Sequence, residues 1–133
     1  MIKNEYRYSE ITGKILESAF AVHKILGSGF HCLIYQKALE KEMRMNGLSF
    51  CREHKMPVFY KSEKIGTRRV DFLVENVISV EMKTLPLMND DHMAQAVNYL
   101  ETFNVEAGLL INFGAKSLQY RRLINSKYSV RTV

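Results

Sequence analysis

The spacing of hydrophobic positions predicts three amphipathic helices, over residues 9–26, 32–46 and about 90–103. Ser9 is the expected N-cap of the first helix, and Gly27 and Gly47 are suited to end the first and second. Either Asn89 or Asp90 caps the third helix. The chain therefore begins with two helices and returns to helix after its central region.

The same spacing predicts which helical residues are buried. The second helix has a broad apolar face made of Ile34, Tyr35, Ala38, Leu39, Met43 and Met45. The third helix has an apolar stripe made of Met93, Ala96, Val97, Leu100 and Phe103. His92, Gln95 and Tyr99 fall on a separate, polar stripe of that helix.

Short apolar or alternating runs predict the strands, over residues 48–51, 58–61, 69–74, 78–83, 107–112 and 118–124. Pro57 favours an edge position or a strand start for the second of these runs. The nearly continuous apolar run 107–112 indicates a strand that is buried on both faces. Residues 125–133 are expected to be frayed.

Residues 69–83 form a predicted hairpin whose register follows from its hydrophobic pattern. If Val74 pairs with Ile78, three residues form the loop and Asp71 lies opposite Glu81. One face is then apolar, with Val70, Phe72, Val74, Ile78, Val80 and Met82, and the other carries Asp71, Ser79, Glu81 and Lys83. A two-residue loop would shift the pairing by one residue and mix carboxylates into the apolar face.

This register gathers two carboxylates and one ammonium group on one side of the hairpin. Opposed carboxylates repel each other unless a cation lies between them, and Mg²⁺ often binds through one or two carboxylates. Lys83 is placed to orient or deprotonate a water molecule, or to neutralise charge on a phosphate. The alternative is an ordinary solvent-exposed face of a hairpin, and the spacing alone does not separate the two.

Composition and charge narrow the class of protein. The length of 133 residues and the balanced composition predict a single globular domain over residues 1–133. We expect no membrane segment and no signal peptide, and two cysteines, Cys32 and Cys51, are typical of a reducing cytoplasm. A net charge of +5 is compatible with an anionic partner, nucleic acid first, and equally with a solvated basic surface that has no partner.

Asp71 followed by Glu81-Met82-Lys83 resembles the active-site motif of the PD-(D/E)xK nuclease superfamily. More of the chain, residues 11–124, is similar to the small bacterial and archaeal GxxExxY family. The landmarks shared with that family include Leu26-Gly27, Gly29-Phe30, Tyr35, Lys37-Ala38-Leu39, Pro57-Val58, Gln95, Asn98-Tyr99-Leu100 and the run from Gly108 to Gly114. The resemblance implies an α/β protein with a mixed sheet: a restriction-endonuclease-like αβββαβ core preceded by an extra N-terminal helix.

The resemblance also implies roles for individual residues. Asp71, Glu81 and the Met82 carbonyl are the expected ligands of Mg²⁺ or Mn²⁺, and Lys83 and Gln95 are the expected catalytic residues. Lys83 would act as base or electrostatic stabiliser, and Gln95 would contact the water or a phosphate. The candidate nucleic-acid-binding residues are Arg68, Arg69, Tyr35, Arg121 and Arg122.

Cys32 is the main departure from the family pattern, because it stands where the family motif has its glutamate. Cysteine is a poor ligand for Mg²⁺. If the second helix faces the hairpin, Cys32 lies beside Asp71 and Glu81; the alternative is a small buried apolar residue. Two functions stay open: a metal-dependent nuclease, weakened by Cys32, and an inactive nuclease-fold module that binds nucleic acid or protein. A homodimer and a monomer are both compatible with the sequence.

Overall fold

The computed structural model describes residues 8–130, in which three helices surround a five-stranded sheet. The elements are α1 Ser9–Leu26, α2 Cys32–Met45, β1 Phe50–Tyr60, β2 Glu63–Val74, β3 Ile78–Lys83, α3 Asp90–Thr102, β4 Ala107–Asn112 and β5 Gln119–Ile124. Residues 1–7 and 131–133 lie outside the described residues. The first range belongs to the segment in which no signal peptide is expected, and the second to the segment that is expected to be frayed. Within residues 8–130, no helix is long and apolar enough to cross a membrane.

The sheet follows chain order, from β1 to β5, and mixes both kinds of pairing. Among the strands of residues 8–130, β3 and β4 are the one parallel pair, with α3 forming the connection between them, and the other neighbours are antiparallel. The helices cover both faces of this mixed sheet, with α1 and α2 on one face and α3 on the other. This is the predicted α/β class.

Two apolar clusters lie on opposite faces of the sheet, because successive residues of a strand point to opposite sides. Leu109 and Ile111 pack under α1 and α2, together with Phe72, Val74, Ile78 and Val80. Leu110 packs under α3 with Leu123. All six residues of β4 are buried, as the apolar run predicted.

The helix boundaries agree with the sequence pattern, with two corrections at the surface. Tyr8, not Ser9, is the N-cap of α1, and Ser9 lies inside the first helical turn. Gly27 ends α1 with a φ of 71°, which glycine adopts without strain. On α2, Ile34 and Met45 are exposed because the buried face is rotated toward Tyr35, Gln36, Leu39 and Met43.

The region before the hairpin is simpler than predicted. The expected strands at 48–51 and 58–61 are one strand, β1, which runs through the charged residues 52–55. Within residues 8–130 it pairs only with β2 and is an edge strand, so its charged side chains stay exposed or half-buried and do not interrupt it. Pro57 lies on this edge strand, as expected.

The predicted register of the hairpin is confirmed up to Phe72. Val74 pairs with Ile78 and Phe72 with Val80, across a three-residue loop. The described β2–β3 pairs stop there, so Asp71 and Glu81 do not form the expected backbone pair. Val70 belongs to the cluster under α3 rather than to the one that contains Phe72, which corrects its predicted face.

Candidate active site

Asp71 lies in β2 at the point where backbone pairing with β3 ends. Its Oδ2 accepts a hydrogen bond from the Met82 backbone N–H at 2.8 Å, and its Oδ1 accepts one from Gln36 Nε2 at 3.1 Å. Burial raises the pKa of Asp71, although both hydrogen bonds and the charges of Arg69 and Lys83 lower it. The carboxylate is thus held in a fixed orientation by β3 and α2.

Glu81 is the second carboxylate and lies in β3, largely shielded from solvent. Burial raises the pKa of Glu81; the positive charges of Arg68 and Lys83 lower it, and the negative charge of Asp71 raises it further. Arg68 Nη2 is 3.9 Å from Glu81 Oε1. Asp71 and Glu81 therefore share one electrostatic environment even without a backbone pair.

Lys83 is the last residue of β3, and the end of β4 fixes its backbone. The Lys83 carbonyl accepts a hydrogen bond from Phe113 N–H at 2.9 Å. The buried Asn112 side chain accepts from Leu85 N–H and donates to Leu85 O, both at 2.8 Å. At Gly114 a Cβ would clash with the Thr84 carbonyl carbon and the Leu85 backbone, so only glycine fits beside this loop.

Cys32 and Gln36 lie one helical turn apart on α2, at its side toward Asp71. Cys32 is half-buried, and burial and the nearby charge of Asp71 raise the pKa of its thiol, against the charges of Lys83 and Arg69. It is in electrostatic contact with the carboxylate cluster and also packs at the edge of the apolar core. Both locations considered from the sequence therefore apply in part.

The donor atoms at this position fit a hard divalent cation. The Gln36 amide nitrogen faces Asp71, and its amide oxygen is buried with no hydrogen-bond partner among residues 8–130. Carboxylate oxygens such as those of Asp71 and Glu81 are the donors that Mg²⁺ and Mn²⁺ accept. Within the same residues, no group of three or more His, Cys, Asp or Glu side chains is arranged to hold a metal.

The two arginines before Asp71 differ in how firmly they are held. Arg68 donates to Asn98 Oδ1 and to the Gln95 carbonyl, both at 2.7 Å, and its guanidinium lies 5.3 Å from the Tyr99 ring centroid. Arg69 is more exposed and forms an ion pair with Glu53 at 3.5 Å. Arg68 thus joins α3 to the cluster, while Arg69 stays largely in solvent.

The remaining predicted site residues lie at different distances from the carboxylates. The Gln95 side chain is exposed on α3, and its assigned role stays a prediction. Arg121 of β5 pairs with Leu110 of β4, which in turn pairs with Glu81. The backbones of Arg121 and Glu81 are therefore two strand spacings apart, or about 10 Å. Arg122 lies on the opposite face of β5, with its guanidinium 5.8 Å from the Tyr120 ring centroid.

Tyr35 is not available to nucleic acid, which corrects its prediction as a binding residue. It is fully buried and stacks on Phe113 with ring centroids 4.8 Å apart. Its hydroxyl donates to the Gly27 carbonyl and accepts from Phe30 N–H. Tyr35 therefore fixes the turn between α1 and α2.

Two residues of the cluster were missed from the sequence. Gln36 was overlooked because a single glutamine on a helix carries no signal, although its position four residues after Cys32 places both on one helix face. Tyr99 was assigned to a polar stripe but is buried between Phe103 and Arg68. Burial and the charge of Glu81 raise the pKa of Tyr99 to about 12, against the charge of Arg68.

Comparisons with known proteins agree with this geometry. The family model described as PD-(D/E)XK nuclease superfamily matches residues 9–123. Among solved structures, the crystal structure of SSO0001 is similar, with a TM-score of 0.57 and 21% identity over 91% of this chain. This chain covers 61% of that one, and the likeness supports the restriction-endonuclease-like fold. A search of curated proteins gives no match.

Proposed function

Because the chain belongs to the PD-(D/E)XK nuclease superfamily, we propose that it is a metal-dependent nuclease that hydrolyses phosphodiester bonds in DNA or RNA. The observation that most supports this is that Asp71 and Glu81, each with a pKa raised by burial, both lie within the electrostatic influence of Lys83. Carboxylates whose pKa values are raised by burial within a cluster of charged groups are typical of functional sites. Narrower membership of the GxxExxY family belongs to the same proposal.

Asp71 and Glu81 would hold Mg²⁺ or Mn²⁺, with the Met82 carbonyl as a further oxygen donor. When bound, the ion would supply positive charge that polarises the phosphate and lowers the pKa of a water molecule. The Met82 N–H and the Gln36 amide hold the Asp71 carboxylate in place. The orientation of the Asp71 carboxylate is thus set before substrate binds.

Lys83 orients the attacking water or neutralises the negative charge that develops on phosphorus. The water oxygen attacks phosphorus and one P–O ester bond breaks; the proton of the attacking water passes to solvent, and the leaving alkoxide oxygen takes up a proton from solvent. Gln95 would contact the water or a phosphate oxygen from the first half of α3. Arg68, Arg69 and Arg121 would bind phosphates of the substrate on either side of the scissile bond.

Cleavage of labelled single- and double-stranded DNA and RNA, with Mn²⁺ or Mg²⁺ and with EDTA, tests the proposal. Glu81→Gln removes one carboxylate and keeps the size of the side chain, and should lower the cleavage rate by about 100-fold or more. Lys83→Ala should give a similar loss. Glu17→Gln, which changes an exposed carboxylate of α1, is the matched control and should cleave like the parent.

Equal cleavage by the parent and Glu81→Gln would rule out the assignment of the site. Activity that persists in EDTA would rule out the role of the metal. Thermal melts of each variant show whether a loss of activity comes from a loss of folding.

A second function is favoured by one observation at Cys32. Burial and the charge of Asp71 raise the pKa of the Cys32 thiol, so a neutral group stands where the family has a carboxylate. A nuclease-fold module that binds nucleic acid without cleaving it would show binding in EDTA and no cleavage with any metal. Its affinity would fall with salt, with a slope of about 0.9 for each neutralised phosphate of duplex DNA.

A further inference from the structure

The outer parts of β1 and β2 form a two-stranded ribbon, residues 55–69, at one edge of the sheet. The described β2–β3 pairs involve only Phe72, Leu73 and Val74, so the earlier residues of β2 pair only with β1. The two strands are joined by Lys61 and Ser62, whose φ values of 48° and 68° are typical of a tight hairpin turn. The ribbon leads along β2 directly to Asp71.

One side of the ribbon is anchored to the body of the protein, while its tip is open to solvent. Met56 and Val58 pack against the apolar cluster under α3. Near the turn, the side chains of Phe59, Tyr60 and Ile65 are 61%, 60% and 60% exposed. Several large apolar side chains exposed together are typical of a surface that binds a partner.

The ribbon also carries much of the positive charge of the chain. Five basic residues stand against one acidic residue, Glu63: Lys55, Lys61, Lys64, Arg68 and Arg69. Among residues 8–130, no acidic side chain forms an ion pair with any of the three lysines, whereas both arginines have one. Their charge is therefore free to attract an anionic partner.

We propose that the ribbon is a binding arm that enters the major groove of duplex DNA and delivers the duplex to Asp71 and Glu81. Neighbouring strands are about 4.8 Å apart, and the major groove, about 12 Å wide, admits a two-stranded ribbon. The lysines contact phosphates, and Phe59, Tyr60 and Ile65 contact base edges from the two faces of the tip. That the partner is nucleic acid rests on the proposed function. Binding by the arm itself does not depend on cleavage.

A second copy of this chain is a poorer partner for the same surface. Edge-to-edge pairing of β1 is opposed by Pro57, which lacks an N–H, and by the charge of the lysines. Double-stranded RNA is also a poorer partner, because its major groove is too deep and narrow for side chains to read. The ribbon thus points to B-form DNA.

The test measures binding of a fluorescent 30-base-pair DNA duplex in EDTA at several salt concentrations. Lys61→Gln with Lys64→Gln should lower the slope of log affinity against log salt by about 1.8, which is 0.9 for each lost phosphate contact. Lys14→Gln with Lys24→Gln makes the same charge change on exposed positions of α1 and should leave the slope unchanged. Phe59→Ser with Tyr60→Ser should weaken binding without changing the slope, because apolar contacts release no counterions.

Equal slopes for the ribbon and helix variants would overturn the proposal, as would undetectable binding of duplex DNA by the parent. Equally tight binding of duplex RNA would overturn the major-groove mode. If sedimentation shows that the parent is a dimer and that Phe59→Ser with Tyr60→Ser dissociates it, the tip would be assigned to self-association instead. Cleavage with Mn²⁺ is measured in parallel, so that ribbon-dependent binding without cleavage contradicts the proposed function alone.

Discussion

The two halves of β2 show how one strand serves two purposes. Its second half, from Val70 to Val74, alternates buried apolar residues with Asp71 and Leu73, and its last three residues pair with neighbours on both sides. Its first half, residues 63–69, pairs only with β1 and is exposed except for Arg68. The buried half can orient a carboxylate against the cost of burial, and the exposed half leaves cations available to a partner.

The largest expected effect comes from removing one aromatic ring from the buried half of β2, compared with one from the exposed ribbon. Phe72 is fully buried and meets Phe50 edge to face at 5.4 Å, so Phe72→Ala should lower the free energy of unfolding by about 3–5 kcal/mol. Phe59→Ala, on the exposed ribbon, should change it by less than about 0.5 kcal/mol. Urea denaturation of both variants measures the difference. Similar losses would mean that the ribbon is part of the folded core.

An intermediate effect is expected when Cys32 is replaced by glutamate beside the buried half. Cys32→Glu places a carboxylate near Asp71 and should tighten Mn²⁺ binding on the order of tenfold, or about 1.4 kcal/mol. Calorimetric titration measures the affinity, and a thermal melt measures folding. Cys32→Ser is the control, because it adds no charge. Unchanged affinity with a collapsed melting temperature would place the side chain in the apolar core instead.

The smallest expected effect is a dependence of stability on pH. Because the folded-state pKa of Glu81 is raised, the folded state binds more protons than the unfolded state between the ordinary and the raised pKa. Stability therefore falls as the pH rises through that window and stays lower above it. Glu81→Gln removes this penalty, so in EDTA it should be more stable than the parent at pH 7.

The same variant should lose its advantage in acid. As the pH falls below the ordinary glutamate pKa of about 4.3, the stabilities of parent and variant should converge. Mn²⁺ should reverse the order at pH 7, because a ligand at 100 times its dissociation constant stabilises by about 2.7 kcal/mol. A parent more stable than Glu81→Gln in EDTA at pH 7 would contradict the raised pKa.

The sequence by itself determined most of the elements and the position of the motif. The bounds of α1, β3 and β4 follow from local hydrophobic period and from turn residues such as Gly27, which act within a few positions of themselves. The hairpin register followed from the alternation of Phe72 and Val74 with charged neighbours, since a shift of one residue would bury carboxylates. The family pattern singled out Asp71, Glu81 and Lys83 because these three residues lie close together along the chain.

Only the tertiary structure decided which other groups meet that motif. Gln36 and Cys32 come from another helix and reach Asp71 because α2 packs on the sheet. Tyr99 and Arg68 meet at Glu81 because α3 covers the opposite face. The sequence also did not predict that β1 is continuous or that the ribbon is exposed. A charged run indicates a break between strands unless its position at the sheet edge is known. Contacts between distant segments depend on packing, which no local pattern encodes.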